Sequence, residues 1–575
     1  MIKNNNCWQL KSSQNDHVDH LAQKTGLSKV VARVLVNRGI ISQEDAEKFF
    51  ETNITQIHNP FLLKDMDKAV VRITQALLQK ESICIYGDYD VDGAVATSIL
   101  LLFLKQVDAD VSFYIPNRIT EGYALNTEAV KELVNKGVKL IITVDNGINS
   151  NEAVAYARQL GVDVVVTDHH HVGEFLPQAY AVVNPQRKDC SYPFKGICGA
   201  GVVFKVVMAL RQHLREKDFF KNKQEPNVKQ YLDLLCLATV CDVVPLIDEN
   251  RYFVKEGLKQ LSNTQRAGIK ALMRVCSIRN EQITTTDVGF RLGPRINACG
   301  RLKNADMGVL MLTTQDDVEA TKQATLLDYL NRERQGIETK ILDDIFSRIE
   351  SEIDLDRKLG IVMYSAEWHV GVVGIVASRV VEKYGRPVFV LTRDENGLIK
   401  GSGRSIPMVN LIKALNDCSE NLLKYGGHAA AAGVTLNEDQ IDNFTNAFDA
   451  AVKSQMDLHD TKPVIMVDDN LTNEDIDWKL ARELASLEPH GVGNAKPLFI
   501  IDKLFIKSKK LVGKDHLKLS VQRNKQQFDA IAFRKGAVIN ELSEEAGLIF
   551  GLEINKFRDK ESIQFIVKEF IQNEA

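Results

Sequence analysis

Three short apolar runs in the first third of the chain each end in an acidic residue, and this pattern limits the possible fold more than any other feature. β-Branched residues are frequent in the runs, and a turn and a helical pattern follow each one, which predicts buried parallel strands of an α/β sheet. A fourth strand is predicted at Ala181–Val183. The carboxyl ends of parallel strands meet at one edge of a sheet, so the acidic residues are expected to gather there. The three runs are Ile83–Tyr86, Leu140–Val144 and 162–167.

Five carboxylates and two histidines follow these strands or lie close to them, and they are expected to form one site. A single aspartate after a strand is usually a turn former or a helix N-cap. A cluster of carboxylates differs, because repulsion and desolvation would make it costly without a cation. Oxygen ligands with one or two imidazoles favour Mg²⁺ or Mn²⁺. Zinc is less favoured, because the only cysteine within two residues of these positions is Cys241, beside Asp242.

Eight motifs in the chain resemble those of a known enzyme family. Four of them, in the usual order, resemble the motifs of the DHH phosphoesterase superfamily, and four more resemble its RecJ branch. The resemblance runs from about residue 50 to the last residue of the sequence. The first four are Gly-Asp-Tyr-Asp-Val-Asp-Gly at 87–93, Val-Asp-Asn-Gly at 144–147, Asp-His-His at 168–170 and Cys-Asp-Val-Val-Pro-Leu at 241–246, and the others lie at 293–301, 368–379, 401–405 and 426–433.

This resemblance implies an architecture and an activity. The architecture is α/β, with two α/β domains of the DHH and DHHA1 types that a long helix joins, followed by a C-terminal OB-type β-barrel. The activity is hydrolysis of single-stranded DNA from the 5′ end to 5′-mononucleotides, in DNA recombination and repair. By the same resemblance, the partners would be single-stranded DNA, single-stranded-DNA-binding protein and a RecQ-type helicase.

The resemblance also assigns metal-binding and catalytic roles. Two divalent metal ions, Mn²⁺ or Mg²⁺, would activate a water for in-line attack on the scissile phosphate. His170 would contact a phosphate oxygen or orient a ligand, whereas His171 has no counterpart in the family. Tyr86 departs from the pattern, because some superfamily members have a histidine ligand four residues before Asp90, so Asp88 or water would complete that shell. The predicted metal ligands are Asp88, Asp90, Asp92, Asp145, His169 and Asp242, and the predicted catalytic residues are Asp90, Asp92, Asp145, His169, His170 and Asp242.

A second set of residues is expected to bind the nucleic acid. We expect a narrow passage between the two α/β domains that admits only an unpaired strand. Arginine suits such a passage, because its planar guanidinium matches phosphate oxygens. Glycines at 371 and 374, in a predicted turn at 401–405 and at 426–427 would let backbone N–H groups approach an anion. The predicted phosphate contacts are Arg295, Arg301, Arg379, Arg404 and His428.

Length and patterning predict the domain organisation. A chain of 575 residues with 45% hydrophobic residues is expected to form three or four domains. The stretch 316–353 has no proline and keeps a helical spacing of apolar residues, which predicts one helix, or two helices broken near Gly336. The predicted units are an N-terminal helical support (1–50), a DHH catalytic α/β domain (51–270), a connecting segment with the long helix (271–354), a DHHA1-type α/β domain (355–455) and an OB-fold nucleic-acid-binding domain (460–575).

The charge distribution favours nucleic-acid binding by the C-terminal domain. The net charge of −4 argues against a generally basic surface. The segment 502–535, however, holds ten lysines and arginines against three aspartates, within strand-like stretches that include Phe505, Phe528 and Phe533. Basic strands with interleaved aromatic residues suit a small barrel that follows a phosphate backbone and stacks bases.

Cysteine usage and hydropathy predict an intracellular protein. Nine cysteines without a CxxC pair are typical of reduced core thiols rather than of disulfides or a zinc site. The apolar stretch 99–104 is too short to span a bilayer, and residues 1–13 are polar without a signal-peptide core. A cytoplasmic location is therefore expected.

Three other functions share part of this pattern. A phosphodiesterase for short oligonucleotides or cyclic dinucleotides would have the same metal site but would normally lack the C-terminal barrel. A manganese pyrophosphatase would need neither the 293–301 segment nor a basic barrel. A non-catalytic DNA-binding scaffold would have lost metal ligands, all of which this chain retains.

Overall fold

A strand and three short helices precede the first α/β domain. The structure, a computed structural model, describes residues 7–117, 121–279, 283–302, 306–458, 464–524, 526–557 and 560–571. Ser28 and Ser42 cap the second and third helices, because their hydroxyls accept backbone N–H groups. Both helices therefore begin directly after a serine. The elements are β1 (Cys7–Leu10), α1 (Asn15–Thr25), α2 (Lys29–Val36) and α3 (Gln43–Phe50).

A five-stranded parallel sheet forms the centre of the first α/β domain. Its elements are α4 (Met66–Gln79), β2 (Ile83–Tyr86), α5 (Val91–Gln106), β3 (Val111–Tyr114), α6 (Thr127–Asn135), β4 (Leu140–Val144), α7 (Asn151–Gln159), β5 (Asp163–Thr167), β6 (Ala181–Val183), α8 (Gly199–Glu216), α9 (Leu232–Cys241), α10 (Asp248–Ser262) and α11 (Ala267–Val275). The strand order is β3-β2-β4-β5-β6. Ile83 and Ile85 pack into the core on one face, and Cys84 and Tyr86 into the core on the other. Burial on both faces explains the continuous apolar runs.

One long helix joins the two α/β domains. The connecting segment contains α12 (Thr285–Asp287), α13 (Gly293–Leu302), α14 (Asp306–Thr313) and α15 (Asp317–Glu352). Asp316 caps α15 by accepting the N–H groups of Val318 and Glu319. Leu327 and Leu330 of this helix pack into the core of the first domain, whereas residues 341, 345 and 349 pack into the second. The prediction of a single helix is therefore correct, and there is no break at Gly336.

The second α/β domain is built on a mixed five-stranded sheet. Its elements are β7 (Ile361–Tyr364), α16 (Val373–Tyr384), β8 (Val388–Arg393), β9 (Ile399–Arg404), α17 (Leu411–Asp417), β10 (Lys424–Gly427), β11 (Ala431–Leu436) and α18 (Ile441–Lys453). The strand order is β10-β11-β9-β8-β7, with only β7 and β8 parallel among its pairs.

The predicted turn at 401–405 is wrong, because residues 401–404 lie in strand β9. A Cβ atom on Gly403 would lie 2.4 Å from Cζ of Phe389, and one on Gly401 would lie 2.2 Å from a methyl carbon of Leu391. Both contacts are too short for carbon atoms. The glycines therefore make room for large side chains of the neighbouring strand β8, and this packing role is the reason that they occur within a strand.

A C-terminal domain built around a β-barrel follows the second α/β domain. Its elements are β12 (Val464–Val467), β13 (Asp469–Asn470), α19 (Trp478–Ser486), β14 (Phe499–Val512), β15 (His516–Arg523), β16 (Gln526–Ala532), β17 (Glu545–Phe557) and β18 (Lys560–Ile571). The order β14-β15-β16-β18-β17 closes through pairing of β14 with β17. The predicted architecture of two α/β domains, a long joining helix and a C-terminal barrel is confirmed.

The N-terminal segment packs against this barrel. β1 pairs in parallel with β12, so that Trp8 lies beside Ile465. Val31 and Leu35 of α2 belong to the same apolar core as Leu480 of α19 and Phe550 of the barrel. The first and last parts of the chain therefore share one core.

Two properties bear on the environment of the protein. No helix within the described part of the chain is both long enough and apolar enough to cross a membrane. The eight cysteines whose side chains the structure describes are free thiols, and seven of them are buried. This agrees with the predicted role of these cysteines as reduced core residues.

Candidate metal centre

Strand ends and one helix end bring the predicted metal ligands to one edge of the first sheet. Asp88 and Asp90 follow β2, and Asp145 follows β4. His169 lies two residues beyond the end of β5, and Asp242 caps the C-terminus of α9. The ligands thus come from four places in the chain that only the parallel sheet and α9 bring together.

His169 lies among three of the carboxylates. Its Nε2 atom is 3.2 Å from Oδ1 of Asp145, 3.7 Å from Oδ2 of Asp92 and 3.7 Å from Oδ2 of Asp242. Three groups have ligand atoms within 4.8 Å of one another, and two of these groups have no member in common. The groups are Asp145, His169 and His170; Asp92, His169 and Asp242; and Asp88, Asp90 and Asp145.

The donor atoms in this cluster fit a divalent metal. Oδ1 of Asp145, Nε2 of His169 and Oδ2 of Asp242 are buried and make no hydrogen bond within the described residues. Buried polar atoms without partners are rare in folded proteins and require an explanation. Burial lowers the pKa of His169, which favours the neutral ring that can bind a metal. Carboxylate oxygens with a neutral imidazole match the ligand preferences of Mn²⁺ and Mg²⁺.

The carboxylates of this cluster destabilise one another's charged forms. Burial, followed by repulsion from Asp92 and Asp90, raises the pKa of Asp145 well above its ordinary value. The same causes raise the pKa of Asp242 to about 9. A divalent cation at this position would reverse both effects, because it would favour the ionised carboxylates.

Asp92 is fixed by the start of a helix that the sequence pattern had not associated with it. Its Oδ2 and Oδ1 atoms accept the N–H groups of Gly199 and Ala200, at 2.6 and 2.8 Å. A Cβ atom on Gly199 would lie 2.4 Å from Oδ1 of Asp145, so a larger residue would displace that carboxylate. Asn297 is another residue from a distant part of the chain that supports the site. Its Oδ1 atom accepts the N–H of Val91, at the start of α5. In the sequence, the glycine-rich stretch 199–201 at the start of a helix is the one pattern that could have indicated the contacts of Asp92 with this helix.

His170 is held beside the cluster by Asp168. The Nδ1 atom of His170 lies 2.7 Å from Oδ1 of Asp168, which also accepts the backbone N–H groups of His169 and His170. Burial lowers the pKa of His170, but the hydrogen bond to Asp168 outweighs it and the pKa is raised. The hydroxyl of Tyr123 lies 3.3 Å from the His170 ring and was not among the predicted site residues. A ring that favours the protonated state is suited to contact a phosphate oxygen.

Two of the predicted phosphate contacts, Arg404 and His428, lie near each other in the second α/β domain, and His428 contacts the histidine that follows this cluster. The ring of His428 lies 5.3 Å from that of His171. Arg404 pairs with Ala431 across β9 and β11, and the N–H of His428 donates to the carbonyl of Ala431. Nη1 of Arg404 also donates to the Ser402 hydroxyl, at 3.0 Å. Arg404 and His428 are therefore neighbours at the end of the sheet nearest to the histidines.

The other three predicted phosphate contacts already have protein partners. Arg295 forms an ion pair with Asp328 of α15 at 2.8 Å. Arg379 forms one with Glu382 at 2.9 Å, and Nη1 of Arg301 donates to the carbonyl of Gly371 at 3.2 Å. The contact of Arg301 joins the connecting segment to the second α/β domain. The roles of these arginines in phosphate binding stay predictions.

Family profiles match the three folded units in the order seen in the structure. The DHH family, N-terminal domain, matches residues 82–239, the DHHA1 domain matches residues 358–454 and the RecJ OB domain matches residues 467–569. Together with the site, these matches define the class as a DHH-type α/β protein with a metal centre at the carboxyl end of its first sheet.

Individual relatives narrow the class further. The chain is 36% identical to the single-stranded-DNA-specific exonuclease RecJ of Bacillus subtilis (strain 168) over 567 residues, which is 98% of this chain and 70% of that protein. It is 35% identical to the same enzyme of Escherichia coli (strain K12), over 94% of this chain and 95% of that protein. The crystal structure of RecJ in complex with Mn²⁺ from Thermus thermophilus matches all of this chain and 81% of that one, with a TM-score of 0.84 and 28% identity. The chain belongs to the RecJ family.

Proposed function

We propose that the protein is a metal-dependent exonuclease that hydrolyses single-stranded DNA from its 5′ end and releases 5′-mononucleotides. The observation that carries this proposal is the cluster of buried ligands around His169, with three donor atoms that make no hydrogen bond within the described residues. The neighbouring face of the second α/β domain offers Arg404 and His428 to a strand. The names of the relatives support single-stranded DNA as the substrate, and the 5′ polarity rests on the family resemblance.

Each part of the site has a role in this reaction. Bound Mn²⁺ or Mg²⁺ supplies a water of lowered pKa and neutralises charge on the scissile phosphate. Asp88, Asp90, Asp92, Asp145, His169 and Asp242 would hold two such ions. His170, oriented by Asp168, would donate a hydrogen bond to a phosphate oxygen.

The barrel would bind the strand away from the site of cleavage. β14 and β15 carry lysines at 503, 507, 509, 510 and 518, and Phe505 is 38% exposed. Lysines follow a phosphate backbone, and an exposed aromatic ring stacks on bases without sequence preference. Binding to single-stranded-DNA-binding protein or a RecQ-type helicase, and a cytoplasmic location, stay predictions.

End-labelled substrates test the proposal. In the presence of Mn²⁺ or Mg²⁺, single strands labelled at the 5′ end should release a labelled mononucleotide from the start of the reaction. Strands labelled at the 3′ end should release labelled mononucleotide only after the rest of the strand has been degraded. Duplex DNA of the same sequence and a cyclic dinucleotide serve as comparison substrates. Release that starts at the 3′ end would contradict the polarity. Faster turnover of the cyclic dinucleotide than of the single strand would contradict the substrate class.

A further inference from the structure

A short turn in the chain, just before the first long strand of the barrel, contacts the residues that follow the predicted metal ligand Asp242. The turn consists of residues 491–494, between α19 and β14. The N–H of Leu246 donates to the carbonyl of Val492 at 2.7 Å. A Cβ atom on Gly491 would lie 2.6 Å from Cδ1 of Leu246. The turn is therefore in direct contact with the segment 243–246, which leads out of the metal centre.

Asp242 is held on one side by α9, where its N–H donates to the carbonyl of Ala238 at 2.9 Å, and on the other side by this segment. Its buried Oδ2 atom accepts no hydrogen bond within the described residues, so no hydrogen bond to that atom fixes the carboxylate. The next residue, Val243, has a φ angle of 60°. This conformation is strained for a β-branched residue and persists only when the surrounding structure holds it. What holds the backbone after Val243 therefore also contributes to the position of the Asp242 carboxylate.

The turn is itself rigidly held, and Asn494 is central to it. Gly491 and Asn494 exchange two backbone hydrogen bonds, at 3.0 and 3.1 Å. The fully buried Asn494 side chain donates to the carbonyls of Leu487 and Pro489, at 2.8 and 2.7 Å. Gly493 has a φ angle of 73°, which glycine adopts without strain. Removing the Asn494 amide would take away the two shorter hydrogen bonds to these carbonyls, leave them only the longer ones from Arg251 and loosen the turn.

Two further residues, one on the connecting segment and one on the first α/β domain, anchor the residues that lead into the turn. The hydroxyl of Thr285 donates to the carbonyl of His490 at 2.9 Å. Arg251, on α10, donates to the carbonyls of Leu487 and Glu488 at 3.2 and 2.9 Å. The turn is therefore fixed relative to α10 and α12, and it can serve as a support for the segment 243–246.

We propose that Asn494 is a positioning residue for the metal centre: it fixes the turn 491–494, which holds the segment 243–246 and so the carboxylate of Asp242. This inference rests on the metal centre of the proposed function. It adds that an element of the barrel domain determines the affinity of one of the two metal sites. The site concerned is the group of Asp92, His169 and Asp242, because the group of Asp88, Asp90 and Asp145 does not include Asp242.

The test is Mn²⁺ binding by Asn494→Ala in the full-length protein, measured by calorimetry and by electron paramagnetic resonance of free Mn²⁺. Loss of an outer residue that orients a ligand typically weakens metal binding by about 10- to 100-fold. We expect one of two Mn²⁺ ions to bind with this loss and the other to bind as in the unmodified protein. Turnover of single-stranded DNA should fall at low Mn²⁺ and recover at saturating Mn²⁺.

Asn473→Ala is the matched control. Asn473 is also a buried asparagine of the barrel domain, and its side-chain amide donates to the carbonyl of Arg523, far along the chain from the turn. This variant should lose a comparable hydrogen bond but keep both Mn²⁺ affinities. Equal weakening by the two variants, equal weakening of both sites in Asn494→Ala, or unchanged affinities in folded Asn494→Ala would each overturn the proposal.

A second variant decides the matter if Asn494→Ala does not fold. Gly491→Ala keeps the Asn494 hydrogen bonds but directs a methyl group at Leu246, and it should weaken the same single site. Unchanged Mn²⁺ binding in this variant would overturn the inference. Failure of the unmodified protein to bind Mn²⁺ would instead refute the metal centre, and Mn²⁺ binding without cleavage of DNA would refute only the proposed activity.

Discussion

Asp145 is a buried carboxylate surrounded by other carboxylates. It is 2% exposed, and repulsion from Asp92 and Asp90 adds to burial in disfavouring its charge. Its φ angle of 64° directs the chain sharply after β4. A side chain at position 199 would overlap the carboxylate of Asp145, so glycine is required there. A buried carboxylate in such surroundings destabilises the protein unless a cation balances its charge, which supports the prediction that Asp145 is a metal ligand.

Asp145→Asn should abolish hydrolysis without loss of metal-free stability. Removing one ligand should cost several kcal/mol of transition-state stabilisation, which is about 1000-fold or more in kcat. The melting temperature in chelator should stay equal or rise, because a repelled charge disappears. Asp449→Asn is the control, since Asp449 is also buried but accepts the N–H groups of Leu359 and Gly360. That variant should melt earlier and keep its turnover. Near-normal turnover in Asp145→Asn would exclude the residue from the metal centre.

Metal-free stability should fall as the pH rises. The pKa of Asp242 is about 9 in the folded protein, above its ordinary value of 3.8, so the folded state binds more protons than the unfolded state between these values. The free energy of unfolding therefore decreases with rising pH in this window. Melting in chelator between pH 5 and about 9 measures the slope. Asp242→Asn should flatten it, and an unchanged slope in that variant would contradict the assignment.

Arg404→Ala and His428→Ala should impair use of DNA but not metal binding. A lost charge-assisted contact should cost roughly 1.5 to 3 kcal/mol, or about 10- to 100-fold in kcat/KM for single-stranded DNA. Arg393→Ala is the control, because Arg393 lies in the same sheet but is paired with Glu438 on the surface. Mn²⁺ affinity should be the same in all three variants. An unchanged kcat/KM in both test variants would show that Arg404 and His428 do not bind the DNA strand.

At the scale of elements, the glycines of β9 illustrate how packing determines a sequence. Gly403→Ala should destabilise the second α/β domain by about 1 to 3 kcal/mol, because its Cβ would overlap the ring of Phe389. Gly433→Ala, in the neighbouring strand β11, is the control, since its Cβ would have no neighbour closer than 3.8 Å. Denaturant unfolding of the two variants makes the comparison. Equal stabilities would show that the contact with Phe389 relaxes freely.

The parallel strands and the long helix could be predicted from local pattern, but other elements could not. β2, β4 and β6 coincide with continuous apolar runs, which are typical of strands buried on both faces. β3, at the edge of the sheet, escapes prediction because its four residues are only partly buried or exposed and its pattern is weak. The glycines of the 401–405 segment suggest a turn because glycine is suited to turns, whereas the cause of their presence is the size of Phe389 and Leu391.

In the candidate metal centre, too, some residues could be predicted from local pattern and others could not. The predicted metal ligands follow strand ends in a recognisable order, so the sequence indicates them. Gly199 and Asn297 support those ligands from distant parts of the chain, and no local spacing connects them to Asp92 or Val91. The turn at 491–494 lies more than two hundred residues from Asp242 and contacts its segment only in the folded protein.

At the scale of the whole molecule, the shared core of the N-terminal helices and the barrel determines how the barrel should be tested. Deleting residues from 459 onward would expose Val31 and Leu35. We therefore expect that variant to aggregate, and a variant of residues 52–458 to behave better. The latter should bind long single strands more weakly and with a smaller salt dependence, because phosphate contacts that release counterions are lost. Equally tight binding with the same salt slope would show that the barrel does not bind DNA.

The shared core also sets an order of events during synthesis. The helices of the first 50 residues leave the ribosome long before strands β14 to β18 exist. At typical translation rates the intervening residues take about 30 to 100 s to be made. Throughout that interval α1 and α2 can pack only against each other and α3, and the apolar surface that the barrel covers stays exposed. Chains whose translation stops early keep this surface uncovered, so chaperones and proteases can distinguish an unfinished molecule from a complete one.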